Sequence, residues 1–374
     1  MTGRTTHQRI LPGSTIGILG GGQLGRMFAM EARRMGYHVH IFDPVPGCPA
    51  GQVSDKQINA SFEDLEAIGI FIKGVDVVSI EFENLPVESL RWMSRTCHVR
   101  PSPEVLFICQ NREREKSFLR ENGFPSTRFV LVDSCEALHK FLPEIGLPAV
   151  LKTTRFGYDG KGQVLIKREE EAVEGWNSLG AQRCILEAWV NFRTELSVIV
   201  ARGLDGELAV FDPVENVHRN HILAYSVAPA RIREEILASA QEIAKSVAET
   251  LDLIGLLTVE FFLDENEKLL INELAPRPHN SGHHTLDACV TSQFEQHLRA
   301  ICGLRLGATD ALAPAVMVNL LGEFWQSGQP DWERILNVGY AKLHLYGKTH
   351  PSPGRKMGHV TFLGCSEPPR FFGL

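Results

Sequence analysis

Apolar positions change their period along this chain, and each change marks a different kind of unit. The run Thr15–Leu19 is apolar enough for a buried strand; it meets a glycine cluster and then a helix on which Leu24, Met27, Phe28 and Met35 share one face, with Gly36 placed to end it. In the next strand, 37–42, Val39 and Ile41 alternate with His38 and His40, so those histidines belong to the polar side of a strand rather than to a ligand set. Ser61 and Asp64 read as a capping box ahead of Phe62, Leu65, Ile68 and Ile72, and a third strand follows at 75–80. Strand alternating with helix predicts a parallel, doubly wound, Rossmann-like first domain over residues 1–110.

After Gly123 the rhythm changes to strands at 127–132, 149–152, 163–167 and 184–190, with one helix between the first two and another between the last two. That is a small α+β lobe, 111–190. Segments 195–201 and 207–214 read as a hairpin about 203–206, and Ile232, Ile236, Ala240, Ile243, Val247 and Leu251 mark one face of a long helix. A larger antiparallel lobe over 191–304 and a C-terminal segment over 305–374 complete the expected mixture of α/β and α+β architecture.

Composition narrows the function classes. The 374 residues carry 38 Lys plus Arg against 45 Asp plus Glu, a formal charge of −7, which builds no positive field for nucleic acid or an anionic membrane surface. Hydrophobic residues at 44% and charged ones at 22% match an ordinary globular protein. Eight scattered cysteines without a CxxC pair read as reduced thiols in a cytoplasmic protein. No stretch approaches the roughly 18 consecutive apolar residues of a membrane span. The opening 1–13 is polar and basic, which predicts no secretory signal and leaves a short transit-like tail as the alternative.

Candidate chemistry falls in five places. Gly20, Gly22 and Gly25 fit GxGxxG between a strand and a helix, and Asp43 ends the second strand where a dinucleotide ribose would be held. The spacing suits a nicotinamide cofactor, any other phosphate-bearing substrate, or close packing alone. Gly157, Gly160 and Gly162 surround Lys161 between two strands, with no Ser or Thr after the lysine, so this is not a Walker A loop. It reads as a flap whose amides and ammonium close over phosphate, with Lys152 as a second cation, or as a plain hairpin turn.

The third place is 260–273. A two-residue turn at Asn266 and Glu267 makes opposed residue numbers sum to 533, so Glu260 faces Glu273, and Phe262 faces Ile271 on the same side. Carboxylates about 5 Å apart in that arrangement call for a proton or a cation, and hard oxygen donors favour Mg²⁺, unless the pair lies on a solvated face. The fourth, 274–284, packs Arg277, His279, Asn280, Ser281, His283 and His284 into a proline-stiffened loop suited to a small anion. No metal-ligand spacing accompanies its histidines, and Asn280 or Ser281 could instead cap a helix over 286–301. Lastly, Arg355 and Lys356 stand on a turn before a strand, either solvated or turned into a cleft.

Taken in this order, Gly-Gly-Gly-Gln-Leu-Gly-Arg-Met at 20–27, Gly-Tyr-Asp-Gly-Lys-Gly-Gln at 157–163, Asn-Glu-Leu-Ala-Pro-Arg-Pro-His-Asn-Ser-Gly-His at 272–283 and Gly-Arg-Lys-Met-Gly-His at 354–359 resemble the ATP-grasp ligases. Within them, the chain is similar to the N5-carboxyaminoimidazole ribonucleotide synthases from about residue 15 to 364. The resemblance implies a reaction of purine biosynthesis in which ATP converts bicarbonate to carboxyphosphate and the carboxyl group passes to the exocyclic amine of aminoimidazole ribonucleotide. It places ATP among Arg112, Lys152, Gly157, Tyr158, Gly160, Lys161, Gly162, Gln163, Glu187, Ala188, Trp189, Val190, Glu195 and His218, with Glu260 and Glu273, and Asn272 beside them, holding Mg²⁺. Asp159 would orient or deprotonate the amine, Arg277, His279 and Asn280 would hold bicarbonate and carboxyphosphate, and Arg355 with Lys356 would grip the ribonucleotide phosphate. Glu81 or Glu83 would reach the imidazole or ribose, making Gly22, Gln23 and Leu24 part of a nucleotide-substrate site. It further implies a homodimer whose product passes to a separate mutase.

Two features depart from the family pattern: Asn111 stands where an aspartate precedes the arginine, and residues 365–374 have no helical period where a closing helix is expected. The rivals are an ATP-grasp enzyme activating formate for glycinamide ribonucleotide, a non-catalytic nucleotide-binding protein, and an NAD-dependent oxidoreductase resting on the glycine motif and Asp43. The last leaves the Glu260/Glu273 pair and the flap without a role.

Overall fold

The computed structural model describes residues 9–155, 161–326 and 328–372; Gly157, Tyr158, Asp159 and Gly160 of the flap lie outside the described residues. Strands β1 (Thr15–Leu19), β2 (His38–Phe42), β3 (Lys56–Ile58), β4 (Val77–Ile80) and β5 (His98–Val99) form a wholly parallel sheet in the order β3-β2-β1-β4-β5. The order reverses between β1 and β4, and that switch point opens a crevice beyond their carboxyl ends, where the glycine cluster and Glu81 lie. Leu24, Met27 and Phe28 are buried on the helix Gln23–Arg34, while His38 is exposed on its strand as expected. The capping box is a correction. Asp64, not Ser61, caps the helix Leu65–Lys73, accepting from the backbone N–H of Glu66 and Ala67, and Ser61 serves only the N–H of Glu63.

The small lobe is an antiparallel sheet of β6 (Phe129–Val132), β7 (Ala149–Thr153), β8 (Gln163–Ile166) and β9 (Cys184–Ala188), ordered β6-β9-β7-β8. Helices Cys135–Ile145 and Ala172–Ser178 share one apolar cluster with it, through Leu138, Leu142 and Trp176 among others.

A larger sheet takes the rest: β10 (Phe192–Arg202), β11 (Leu208–Val210), β12 (Val214–Arg219), β13 (Ile222–Ala228), β14 (Gly255–Asp264), β15 (Leu269–Ala275), β16 (Ala315–Leu321), β17 (Ala341–Leu345) and β18 (Lys356–Leu363). Its order is β15-β14-β10-β12-β13-β16-β18-β17, with β11 on the end of β10. The expected second arm of the first hairpin is therefore two strands. It breaks at Pro213, which has no N–H to donate, and the chain re-enters opposite Ser197 as β12. The expected helix 286–301 is also two, Thr285–Ala288 and Gln293–Cys302. Ser292 caps the second through the N–H of Glu295, so the hydroxyl serves a helix start where a continuous helix would have left it idle.

The hairpin between β14 and β15 decides where the carboxylates go. Its loop is Glu265, Asn266 and Glu267, not a two-residue turn: the N–H of Asp264 donates to the carbonyl of Lys268, and Glu267 takes φ +62°. Register near the turn is thus one residue off the expectation, with Phe261 opposite Ile271 and Phe262 opposite Leu270. A β-bulge at Asn272 then restores the offset, and Glu260 lies opposite Glu273 as expected. The bulge has a packing cause. Ile271 and Leu274 are both buried in the cluster that holds Phe261, Val259 and the helix Glu234–Thr250, and residues three apart reach one face of a strand only across a bulge. Phe262 lies on the other face, stacked on Phe192 at 4.7 Å.

Candidate active site

The polar face of the large sheet collects one row of groups after another by register alone. Glu273 opposes Glu260, Glu260 opposes Ser197, and on the adjacent row Glu195 opposes Asn216, which opposes Ser226. His218 Nδ1–H donates to Glu195 Oε2 at 2.5 Å; burial works against its charge, but the Glu195 carboxylate outweighs that and raises its pKa. His279 Nε2 meets Glu260 Oε1 at 2.9 Å. Burial alone would raise the pKa of Glu260, yet the bond from His279 and the charges of His218 and Arg277 hold it down to about 2.

Glu273 is met at 3.2 Å by Arg112, from the start of the helix Arg112–Glu121. One turn on, the buried Glu115 accepts the N–H of Leu274 at 2.8 Å, and Lys116 Nζ donates to the carbonyl of Ile271 at 3.1 Å. These two side chains take up backbone groups on either side of the bulge and so hold Asn272 and Glu273 in place. Burial, and then the like charge of Glu273, push the pKa of Glu115 up to about 8. Sequence reasoning named neither residue. The signal was present, since Arg112, Glu115, Lys116 and Leu119 recur at the spacing of one helix face.

Among the described residues no group of three or more His, Cys, Asp or Glu side chains is arranged around a metal ion. Two opposed carboxylates are nonetheless hard-oxygen donors, with Asn272 next to Glu273 in the chain, and would suit Mg²⁺ that keeps waters and substrate phosphates as its other ligands. A transition-metal site at the histidines has no support: Ser281 and Glu260 engage His279, Gln293 engages His283, and His284 bonds the carbonyl of Ser281.

In the small lobe Lys152 Nζ bonds Glu187 Oε2 at 2.8 Å, and both side chains are buried. Lys152, expected as a second cation of the flap, and Glu187, expected beside ATP, are thus each other's partner in this structure. Burial lowers the pKa of Lys152, whereas Glu187, though burial alone would raise its own, is held at about 2 because Lys152, Lys116 and Arg112 surround it. The strand ends at Ala188; its N–H serves the carbonyl of Arg128 and that of Trp189 serves Pro148, which leaves Val190 as the one of the three whose N–H has no partner among the described residues. Lys161 and Gly162 lead into β8, where Gln163 lies opposite Lys152.

At the first-domain crevice the loop's amides face the chain's own carboxylates. Gly22 N–H donates to Glu81, and Gly21 N–H to Asp43 Oδ2 at 2.8 Å. A Cβ at residue 22 would stand 2.0 Å from Glu81 Oε1, so a larger residue there would push this carboxylate off the amide. Burial pushes the pKa of Glu81 up to about 7. Asp43 also accepts from Val45 N–H, so its oxygens serve the loop and the dinucleotide reading loses its ribose acceptor. Leu24 is buried beneath, and Gln23 accepts from Lys348 Nζ at 2.7 Å. Lys348 also donates to the carbonyl of Lys356, which brings the glycine loop, Lys348 and Lys356 together. Lys348 was not singled out from sequence, yet the β17–β18 hairpin that carries it would place it near Lys356.

Arg355 is exposed and donates to the carbonyl of His350. Glu83 pairs with Arg277 at 2.7 Å, tying the first domain to the loop after β15. Asn280 caps no helix; its amide forms a reciprocal pair with Asn319 of β16, at 3.0 and 2.8 Å.

Comparison with known proteins separates the rivals. Residues 13–110 match the ribonucleotide synthetase preATP-grasp domain, 117–294 the ATP-grasp domain, and 315–368 the phosphoribosylaminoimidazole carboxylase C-terminal domain. The N5-carboxyaminoimidazole ribonucleotide synthase of Bacillus subtilis (strain 168) is 48% identical over 362 residues, covering 97% of this chain and 94% of that protein. The chain belongs to the N5-carboxyaminoimidazole ribonucleotide synthase family of ATP-grasp ligases. A crystal structure of a synthetase of this family as an ADP complex superposes with a TM-score of 0.92 at 46% identity, covering 98% of this chain and 95% of that one. One from Aspergillus clavatus in complex with ADP and the aminoimidazole ribonucleotide superposes at 0.87 and 32% identity, covering 96% and 94%. Neither departure from the family pattern disturbs this synthase fold. Asn111 caps its helix through the N–H of Arg114, as an aspartate would, and Phe372 of the tail packs edge-on against Phe362 at 5.8 Å. No helix of the described residues is long and apolar enough to cross a membrane.

Proposed function

We propose that this chain couples ATP cleavage to carboxylation of 5-aminoimidazole ribonucleotide, giving N5-carboxyaminoimidazole ribonucleotide, ADP and phosphate in purine biosynthesis. The observation that carries the reading is the Glu260/Glu273 pair, set face to face by the bulge and bordered by Arg112, Arg277 and His279. These carboxylates, with Asn272 next to Glu273, would hold Mg²⁺, which when bound would supply positive charge against the phosphoryl group. ATP lies between the lobes: the 157–163 flap and Lys152 close on its phosphates, Val190 N–H serves the adenine with Glu187, Ala188 and Trp189 around it, and Glu195 and His218 line the large-lobe side.

Bicarbonate attacks the terminal phosphoryl group, ADP leaves, and the carboxyphosphate so formed is held by Arg277, His279 and Asn280. Arg277 is oriented by Glu83, His279 by Ser281, and Asn280 by Asn319, so each donor is fixed before substrate arrives. Arg355, Lys356 and Lys348 grip the ribonucleotide phosphate beside Gln23, while Glu81 and Asp159 serve the imidazole side. The unit boundaries near 110, 190 and 304 follow from this division of labour, with the C-terminal strands extending the sheet that carries the acid pair. The assembly is a homodimer in the cytoplasm, and the unstable carbamate product is passed to a separate mutase.

ADP release measured with bicarbonate, with and without aminoimidazole ribonucleotide, tests this. Strong stimulation by the ribonucleotide is expected. Stimulation by glycinamide ribonucleotide with formate instead would transfer the case to the formate-activating rival.

A further inference from the structure

A continuous line of buried hydrogen bonds runs under the large sheet's polar face and ends on His279. Ser226 Oγ–H donates to Asn216 Oδ1 at 2.7 Å, and Asn216 Nδ2–H donates to Ser197 Oγ at 2.9 Å. Ser197 Oγ lies 2.7 Å from Ser281 Oγ, and Ser281 Oγ lies 2.8 Å from His279 Nδ1. His279 Nε2 then meets Glu260 Oε1 at 2.9 Å. Ser226, Asn216, Ser197 and Ser281 are all buried, and the sheet register itself sets their spacing, since Asn216 opposes Ser226 and Ser197 opposes Glu260.

The direction of the line is fixed at both ends of the imidazole. The backbone N–H of Ser281 also points at Nδ1, at 3.3 Å, and an N–H can only donate. At the other nitrogen, Nε2 faces the carboxylate oxygen Oε1 of Glu260 at 2.9 Å, and a carboxylate oxygen accepts. Nδ1 is therefore an acceptor and Nε2 carries the proton. With that end settled, Ser281 spends its proton on Nδ1, Ser197 spends its own on Ser281, and the Asn216 amide supplies the bond Ser197 needs.

We propose that Ser281, Ser197 and Asn216 are positioning residues that hold His279 as its Nε2–H tautomer, ring turned so that this proton faces Glu260 and the group being transferred. The inference rests on the reading of His279 as part of the carboxyphosphate pocket. Without the Ser281 hydroxyl, Nδ1 loses its side-chain donor, the ring is free to turn, and the opposite tautomer becomes available. Outer hydrogen bonds of this kind set which imidazole nitrogen faces the chemistry.

Nitrogen-15 NMR of protein labelled at histidine reads the tautomer without turnover, with the His279 resonances identified by their loss in His279→Gln. In the wild type, Nδ1 should resonate as an unprotonated and Nε2 as a protonated nitrogen. Ser281→Ala should depopulate that state, and Ser197→Ala should do so to a smaller degree. Both variants should lower kcat, Ser281→Ala by roughly 10- to 100-fold, with KM for ATP within about twofold and the melting transition retained, a split that general loosening of the fold would not give. Protonated Nδ1 in the wild type, or Ser281→Ala with the wild-type spectrum and rate, would overturn the proposal. A fully active His279→Gln alongside the expected spectra would instead remove His279 from the carboxylating role and leave the tautomer assignment standing.

Discussion

Glu187 in the small lobe and Glu273 in the large lobe both lie in the field of Arg112, yet they are held in opposite ways. The Glu187 side chain is 2% exposed and locked to Lys152 at 2.8 Å, whereas that of Glu273 is 39% exposed and meets Arg112 at 3.2 Å. A buried pair of charges is held by its own mutual attraction, and removing one partner leaves the other stranded. An exposed carboxylate against a single arginine contributes little to stability and is available to a cation. The difference separates a carboxylate that holds a lobe together from one presented for chemistry.

The strongest way to break that contrast is to replace the two side chains that hold the bulge, by Glu115→Leu with Lys116→Met. The N–H of Leu274 and the carbonyl of Ile271 then lose the buried partners that hold the backbone on either side of Asn272, and Glu273 is no longer fixed opposite Glu260. Loss of all ADP formation together with a lowered melting temperature is expected; retained activity would refute the role given to the bulge. Glu273→Gln should next reduce ADP release by roughly 100-fold or more with a rise in the Mg²⁺ concentration required, and leave the urea midpoint nearly unmoved. Glu187→Gln should do the reverse in the urea experiment, costing roughly 3–5 kcal/mol.

Acid titration sharpens the same point. The folded-state pKa of Glu187 lies near 2, below its ordinary 4.5, so its contribution to stability is present above pH 4.5 and is lost as pH falls toward 2. Urea unfolding between pH 5 and 3 should show that decline, roughly 3 kcal/mol in all for the full span, and the double variant Lys152→Met/Glu187→Gln should flatten it. The smallest effect is expected at the ribonucleotide end. Lys356→Ala and Lys348→Ala should each raise KM for the ribonucleotide roughly tenfold with little change in KM for ATP; equal effects on both substrates would remove these lysines from the phosphate grip.

Legibility along the chain followed the range of the interaction. The parallel sheet, the small lobe's strands and helices, and the Glu260/Glu273 pairing were readable because alternation and glycine placement act over a few residues. The pairing, however, rested on a turn one residue too short, compensated by a bulge that no local pattern announces. Asp64 took the cap expected of Ser61, and Ser292 broke a helix whose apolar period runs on, because side-chain oxygens compete for backbone N–H groups at a range of two or three residues that periodicity does not weigh. Asn319, Ser197 and Asn216 carried no signal beside their neighbours, since each acquires its partner only when distant strands come into register.

By itself, the order of residues determined the elements, their periods, and a set of acids, cations and glycines typical of phosphate chemistry, because those features are written in short-range spacing. Only the tertiary structure decided that Lys152 belongs to Glu187, that the glycine loop faces Glu81 and Asp43, and that a line of hydroxyls ends on His279. Each of these contacts joins residues brought together by packing, and a buried polar atom takes whichever partner the closed fold leaves within reach.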